Sequence, residues 1–482
     1  MQFGSILKAL GLIIGVLAVF LLIPATYSFF SGTNDFSAFL ISIGISAIVA
    51  LLLFLVPKSK SSLKTRDSYA LVTFGWLCAG LFGCLPYYMS GYIPSFTDAY
   101  FESISGFTTT GASILADIEA LPPAILLWRS FTQWLGGMGI IVFALAIIPY
   151  LNIGGMGIFQ AEVPGPTAEK LTPRIQDTAK VLWIVYLIFT VVLIGLLWFA
   201  GMTLFDAVNH SFTTMSTGGF STNNSSIAGF HSPVIEWILT IFMILAGVNF
   251  ALHYHVMFRG FNPKIYSQDS ELRFYFIVIA LALAAICTSV FVRQGGNLLE
   301  VLRNASFTIA SILTTTGFGT ADYELWPVFS QFILMFLMVM GGCAGSTAGG
   351  IKAVRFMLVI KYMYVEMLKL IHPNLIRTVK MKDAVVDRGV LANILSFIFV
   401  YTAVMIFSIL LVSIDTNDMV TALGSVVASL SNIGPGFGTV GPTDNYAHLG
   451  DFTKWVLSLD MVMGRLEILT ILILFLPQTW KR

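Results

Sequence analysis

Four glycine-centred strings carry the residue types from which a backbone cage for a cation is built: TTTGAS (108–113), STGGFST (216–222), TTTGFGT (314–320) and GPGFGT (434–439). They align on Gly111, Gly219, Gly317 and Gly436, so one unit of about a hundred residues recurs four times. A dehydrated monovalent cation needs several oxygen ligands at once. Glycine allows φ values closed to other residues, which lets carbonyls turn inward and replace the hydration shell. The candidate ligand set is therefore the backbone of Thr109, Thr110 and Gly111, of Thr217, Gly218 and Gly219, of Thr315, Thr316 and Gly317, and of Gly434, Pro435 and Gly436. One such string alone is an ordinary turn; four in register are not.

These loops need rigid elements to hold them. Twelve residues before each aligned glycine stands a small residue, Ala99, Ala207, Ala305 or Gly424, which lets a short helix pack closely on its neighbour. In the fourth unit Gly434 competes for the register, with Ala422 twelve before it, but GFGT repeats residues 317–320 and favours Gly436. Helices ending at the glycines aim the negative ends of their dipoles at the ion path and disfavour anions. Non-helical backbone inside a bilayer is tolerated only where it is buried in protein or lines a cavity.

With 57% hydrophobic and 11% charged residues, the 482-residue chain is no soluble globular protein, for which the charged share is about 25%. It reads as an all-α integral membrane protein with the bilayer as its partner. Residues 1–66 form a two-span hairpin, and the run 5–29 with Lys8 reads as a span rather than a cleavable leader. Four units follow, 67–179, 180–272, 273–389 and 390–482, each a span, a half-length pore helix ending in the glycine string, and a second span. The fold class is thus four pseudo-symmetric span–pore helix–span units around one central pore. Ten spans result.

Lys58, Lys60, Lys64 and Arg66, then Lys170, Arg174 and Lys180, Arg259, Lys264 and Arg273, the stretch 355–388, and Lys481 and Arg482 fall on one side. The positive-inside rule makes that side cytoplasmic, with both termini inside. The glycine loops then face out with Asp98, Glu102, Asp117, Glu119, Asp206, Glu300, Asp322, Glu324, Asp415, Asp418, Asp444 and Asp451. Such a rim concentrates cations, unless its acids are simply solvated loop charges. Net charge is only +1 and no basic tract is present, so nothing points to nucleic acid.

The third unit is interrupted by GGCAGSTAGG (341–350), whose Gly341, Gly342, Gly345, Ser346, Thr347, Gly349 and Gly350 read as a flexible intramembrane segment beneath the glycine loops, able to plug or open the path. Close helix packing through small residues is the alternative. A phosphate loop fails, because Ile351 separates Gly350 from Lys352 and no Ser or Thr follows the lysine. The GxGxxG of Gly436, Gly438 and Gly441 runs straight into Pro442, so this chain is expected to bind no nucleotide itself. Arg465, deep in the last apolar run, either lines the path below the loops or pairs with Asp460 or Glu467. Arg129 is placed to snorkel or to pair with a loop acid. His253 and His255 read as interfacial rather than metal ligands, and the four cysteines as packing residues. A membrane enzyme would need a nucleophile with its base; Ser346 has no nearby His, and His210 and Ser211 fall on a pore helix.

Together with WRSFTQWLGGMGI (128–140) and the N-terminal hairpin, these strings resemble the Trk/Ktr/HKT superfamily of cation transporters, in its TrkH-type bacterial potassium-uptake branch, over the whole chain. The resemblance implies a selectivity filter at the four glycines, a gate at residues 341–350 and a pore-facing Arg465. It also implies a homodimer in the bacterial inner membrane with cytosolic nucleotide-binding regulatory subunits of the TrkA type. Related plant proteins with serine at the first filter position admit sodium; glycine at all four implies potassium as the transported ion. The expected function is channel-like potassium uptake. A proton- or sodium-coupled symporter is the alternative, for which Asp460 and Glu467 are the main intramembrane acids.

Overall fold

The computed structural model describes residues 1–57, 64–139, 175–258, 260–381 and 384–480. It is the helical structure of a multispan membrane protein. Lys58, Lys60, Lys170, Arg174, Arg259, Lys481 and Arg482, which carry part of the expected orientation, lie outside the described residues, as does the first unit's second span beyond residue 139.

α1 (Phe3–Phe20) continues as α2 (Leu22–Ser31), and α3 (Phe36–Leu55) returns against α1, with Gly11 pressed on Ala50 and Leu53. Next come α4 (Thr65–Gly83), α5 (Leu85–Met89), α6 (Phe96–Phe107) and α7 (Pro123–Gly137), then α8 (Ile175–Phe199), α9 (Leu204–Met215), α10 (Pro233–Ala246) and α11 (Phe250–Phe258). The third stretch holds α12 (Lys264–Gln268), α13 (Ser270–Gln294), α14 (Leu298–Leu313), α15 (Val328–Val339) and α16 (Ala353–Ile371). After a two-residue strand pair, β1 (Lys380–Met381) with β2 (Ala384–Val385), come α17 (Arg388–Val412), α18 (Met419–Leu430) and α19 (Asp451–Arg465).

Among the described residues six helices are long and apolar enough to cross a bilayer, rather than the ten expected. Three of the expected second spans are broken, and the first unit's second span continues beyond the described residues. α10 and α11 meet at a 99° bend over residues 247–249, and α15 and α16 are separated by the 340–352 segment. α19 stops at Arg465 after 15 residues, and α7 at Gly137 after 15. The breaks at residues 247–249, at 340–352 and after Arg465 fall beneath a glycine loop, where a continuous helix would occupy the space below it.

The four half-length helices α6, α9, α14 and α18 sit in the middle of the fold, and local chemistry sets both of their ends. At the N-termini, the side chains of Ser95, Thr203, Asn297 and Asp418 accept backbone N–H groups of the first turn, from Asp98, Asp206, Leu299 and Thr421. Such caps satisfy donors that the helix itself leaves unpaired. At the C-termini the chain turns left-handed at Thr109, Thr217, Thr315 and Asn432, with φ between 54° and 57°. The next residue's N–H reaches back five residues, Thr110 to Ser105, Gly218 to Thr213, Thr316 to Ser311 and Ile433 to Ala428, which ends each helix in the same way.

Candidate functional site

That shared backbone turn corrects the sequence register. Positive φ recurs two residues after each left-handed residue, at Gly111 (82°), Gly219 (80°), Gly317 (81°) and Gly434 (97°), and not at Gly436. Gly434, not Gly436, is therefore the fourth equivalent glycine, and the residue twelve before it is Ala422, so all four positions are buried alanines: Ala99, Ala207, Ala305 and Ala422. Asn432 and Ile433 take the places given to Gly434 and Pro435.

The four glycines close a ring. A Cβ on Gly111 would run into the Gly218 carbonyl, on Gly219 into the Thr316 carbonyl, on Gly317 into the Ile433 carbonyl, and on Gly434 into the Thr110 carbonyl. Each loop thus packs its bare glycine against the backbone of the next, and the fourth returns to the first. Gly111, Gly219, Gly317 and Gly434 all line one cavity of about 130 Å³, whereas Gly436 does not. At roughly 30 Å³ per water, such a space takes an ion with a few waters. Backbone carbonyls around such a space are the chemistry that exchanges for a monovalent cation's hydration shell.

Side chains behind the ring fix it. Gln133 on α7 straddles Gly219, donating from Nε2 to Gly218 O at 2.6 Å and accepting from Phe220 N–H at 3.1 Å. Tyr446 OH donates to Gly434 O at 2.6 Å and Tyr323 OH to Gly436 O at 2.7 Å, so one lone pair of each of these three carbonyls is held by protein. Arg129 does not snorkel. It is buried in an ion pair with Glu102 at 2.8 Å and also donates to Ser221 O and Ser113 Oγ, joining the first two loops.

The acids expected to face out divide accordingly. Glu102 is buried in that pair, and Asp98 bonds Lys454 at 2.6 Å. A hydrogen bond from Asn224 holds the Asp117 carboxyl below its ordinary range, and Thr421 does the same for Asp418, so both stay charged at the rim. Burial pushes the Glu324 carboxyl the other way, while its Oε1 accepts from Gly438 N–H.

Below the ring lies the 341–350 segment, which is not helical. Its ends meet where Gly341 N–H donates to Ile351 O at 3.0 Å and Ile351 N–H to Val339 O. Gly342 O accepts from Ala353, Gly345 O from Phe250 N–H, and Ser346 turns back on Cys343 O. Thr347 Oγ1 bonds Met215 O and Ala246 O, and Gly349 N–H donates to Thr315 Oγ1 at 2.7 Å. Gly350 takes φ 65° to complete the return. The Arg465 guanidinium donates to Thr347 O, to Thr109 Oγ1 and to Gly136 O and Gly137 O. The acids proposed as its partners are engaged elsewhere: Asp460 accepts from Ser408, and Glu467 pairs with Arg355.

His253 is buried rather than interfacial, bonding Tyr266 OH and Leu245 O at the α10–α11 break. His210 bonds Asp206 O and Ser221 Oγ, not Ser211. Sequence reasoning missed Gln133, Asn432, whose Nδ2 donates to Thr110 Oγ1 at 2.9 Å, and Glu271, which accepts from Ala344 and Val354. Gln133 was within a quoted motif, but nothing in spacing distinguishes a buried amide that grips a distant loop.

Comparison with known proteins agrees with this architecture. The chain is 39% identical to the Trk system potassium uptake protein TrkH of Salmonella typhimurium and to that of Halomonas elongata, in each case covering 100% of both chains. The crystal structure of the potassium transporter TrkH from Vibrio parahaemolyticus superposes with a TM-score of 0.90 at 36% identity, again over 100% of each chain. Residues 34–481 match the family model described as TrkH, cation transport protein, and the chain belongs to that family.

Proposed function

We propose that this chain takes up potassium as a Trk system transporter, through a channel-like pore enclosed by four pseudo-symmetric units. The closed ring formed by Gly111, Gly219, Gly317 and Gly434 with the carbonyls of Gly218, Thr316, Ile433 and Thr110 carries this reading. The ring is the selectivity filter, and the full-length similarity to potassium uptake proteins supports potassium as cargo. The 341–350 segment, tied to Met215, Thr315 and Arg465 directly beneath the ring, is the gate. Pore helices ending at the ring add their negative dipole ends to the cation path.

The protein works as a homodimer in the bacterial inner membrane with both termini cytoplasmic, and nucleotide enters through cytosolic regulatory subunits of the TrkA type. The relatives' names as parts of a Trk system support a multi-component assembly. The reversal potential of currents in a potassium/sodium gradient, with protons varied separately, tests the transport reading. A potential near potassium equilibrium that ignores pH is expected. One that follows the proton gradient would make the chain a symporter instead, and absence of ionic flux even with the 341–350 segment shortened would overturn the pore.

A further inference from the structure

Beside the backbone bonds of Gly341 N–H to Ile351 O and Ala353 N–H to Gly342 O, one carboxylate ties the neck of the 341–350 loop. Glu271, half-buried in the first turn of α13, accepts from Ala344 N–H at 2.7 Å and from Val354 N–H at 3.0 Å, both on Oε1. Ala344 stands near the start of the loop and Val354 in the first turn of α16, so one side chain ties the two stems together. Beside it, Cys343 N–H bonds Gly247 O, Phe250 N–H bonds Gly345 O, and Thr347 Oγ1 bonds Ala246 O. Thr315 and Arg465 hold the loop on the side of the ring, and Glu271 holds it on the other.

The chemistry suits a latch. Bonds to a carboxylate are roughly twice as strong as neutral ones, and a negative group at the start of α16 is favoured by that helix's dipole. Asp269 caps α13 by accepting from Leu272 N–H at 2.9 Å, which fixes the turn that carries Glu271. Immediately before it lies α12, none of whose residues is buried. The latch therefore sits just after a short helix with no buried residue.

We propose that Glu271 is a positioning residue of the gate, whose carboxylate clamps residues 344 and 354 together and so keeps the loop under the glycine ring. The proposal rests on reading residues 341–350 as a gate. Full-length protein in liposomes, assayed by rubidium-tracer uptake, tests both. Five chains are compared: wild type, Glu271→Leu, which fills the space without an acceptor, Glu271→Gln, which keeps an acceptor oxygen, a chain with the loop shortened, and the shortened loop combined with Glu271→Leu. Loss of two such bonds is expected to raise uptake about tenfold in Glu271→Leu. Glu271→Gln returns uptake toward wild type, and Glu271→Leu adds nothing once the loop is shortened. Unchanged or lower uptake in a monodisperse Glu271→Leu protein overturns the latch, as does an equal gain in the shortened background. A shortened loop that fails to raise uptake overturns the gate reading and the latch with it. Should Glu271→Leu not fold, Glu271→Asp, too short to reach both donors, is judged by the same outcomes.

Discussion

Arg465 donates from Nη1 to the carbonyl of Thr347 at 2.8 Å, joining the end of α19 to a loop 118 residues earlier in the chain. The same guanidinium holds Gly136 O and Gly137 O at the C-terminus of α7, where a cation is favoured, and Thr109 Oγ1 beside the ring. Arg465→Ala removes both a clamp on the loop and a positive charge beneath the ring. Rubidium uptake is expected to rise on the order of tenfold, with a stability loss of about 1–3 kcal/mol from the carbonyls left unpaired. Arg465→Lys keeps the charge but not the fork of donors, so it falls between the two. Uptake in Arg465→Ala equal to wild type would show that the contact is structural only.

The register of the fourth loop is open to direct test. In Gly434→Ala the new methyl meets Thr110 O and the Gly111 backbone, at a φ of 97° that L residues rarely adopt. In Gly436→Ala it meets Gly424 O within its own unit. The first variant should lower the potassium-to-sodium permeability ratio on the order of tenfold, the scale of discrimination that small changes in a binding site produce. The second should cost about 1–3 kcal/mol by overpacking while leaving the ratio alone. Reversal potentials and thermal melts separate the two, and a reversed pattern would restore Gly436 to the ring.

This misplaced register shows what was legible and what was not. The four strings, three of the four buried alanines twelve residues upstream and the interrupted third unit were readable, because small residues at fixed spacing signal backbone approach directly. GFGT repeated a local string at Gly436, but the ring is defined by backbone conformation, and Asn432 with Ile433 carries no resemblance to Thr-Thr. Left-handed positions normally announce themselves as glycine; here Thr109, Thr217, Thr315 and Asn432 occupy them. Hydropathy likewise counted ten spans because it averages over breaks such as residues 247–249. The partners of Arg129, Arg465 and Glu271 depend on contacts between distant segments, which no local pattern encodes.

Glu102 and Arg129 form an ion pair with side chains 0% and 1% exposed. Removing one partner of such a pair strands a charge and costs about 3–5 kcal/mol, more than a surface pair could. Glu102→Ala should therefore melt well below wild type and also loosen selectivity, because Arg129 holds Ser221 O and Ser113 at the first two loops. The double variant Glu102→Leu/Arg129→Met should recover much of the stability but not the selectivity. Recovery of both would reduce the pair to packing.

Thr315 sets two effects against each other. Its φ of 56° costs a residue with a Cβ about 1–2 kcal/mol relative to glycine. Its Oγ1 also accepts Gly349 N–H at 2.7 Å, a bond worth about 0.5–1.5 kcal/mol net that ties the ring to the loop below. Thr315→Gly relieves the first and loses the second, so stability should change by less than about 1 kcal/mol while rubidium uptake rises several-fold. Thr217 has nearly the same φ, 54°, but its Oγ1 donates only to the adjacent Ser216 O. Thr217→Gly gains the same relief and gives up a purely local bond, so it should be the more stable of the two variants. The difference between their melting curves isolates the Thr315 tether. If Thr315→Gly is stabilised as much as Thr217→Gly and uptake stays flat, the Thr315–Gly349 bond contributes nothing to closure.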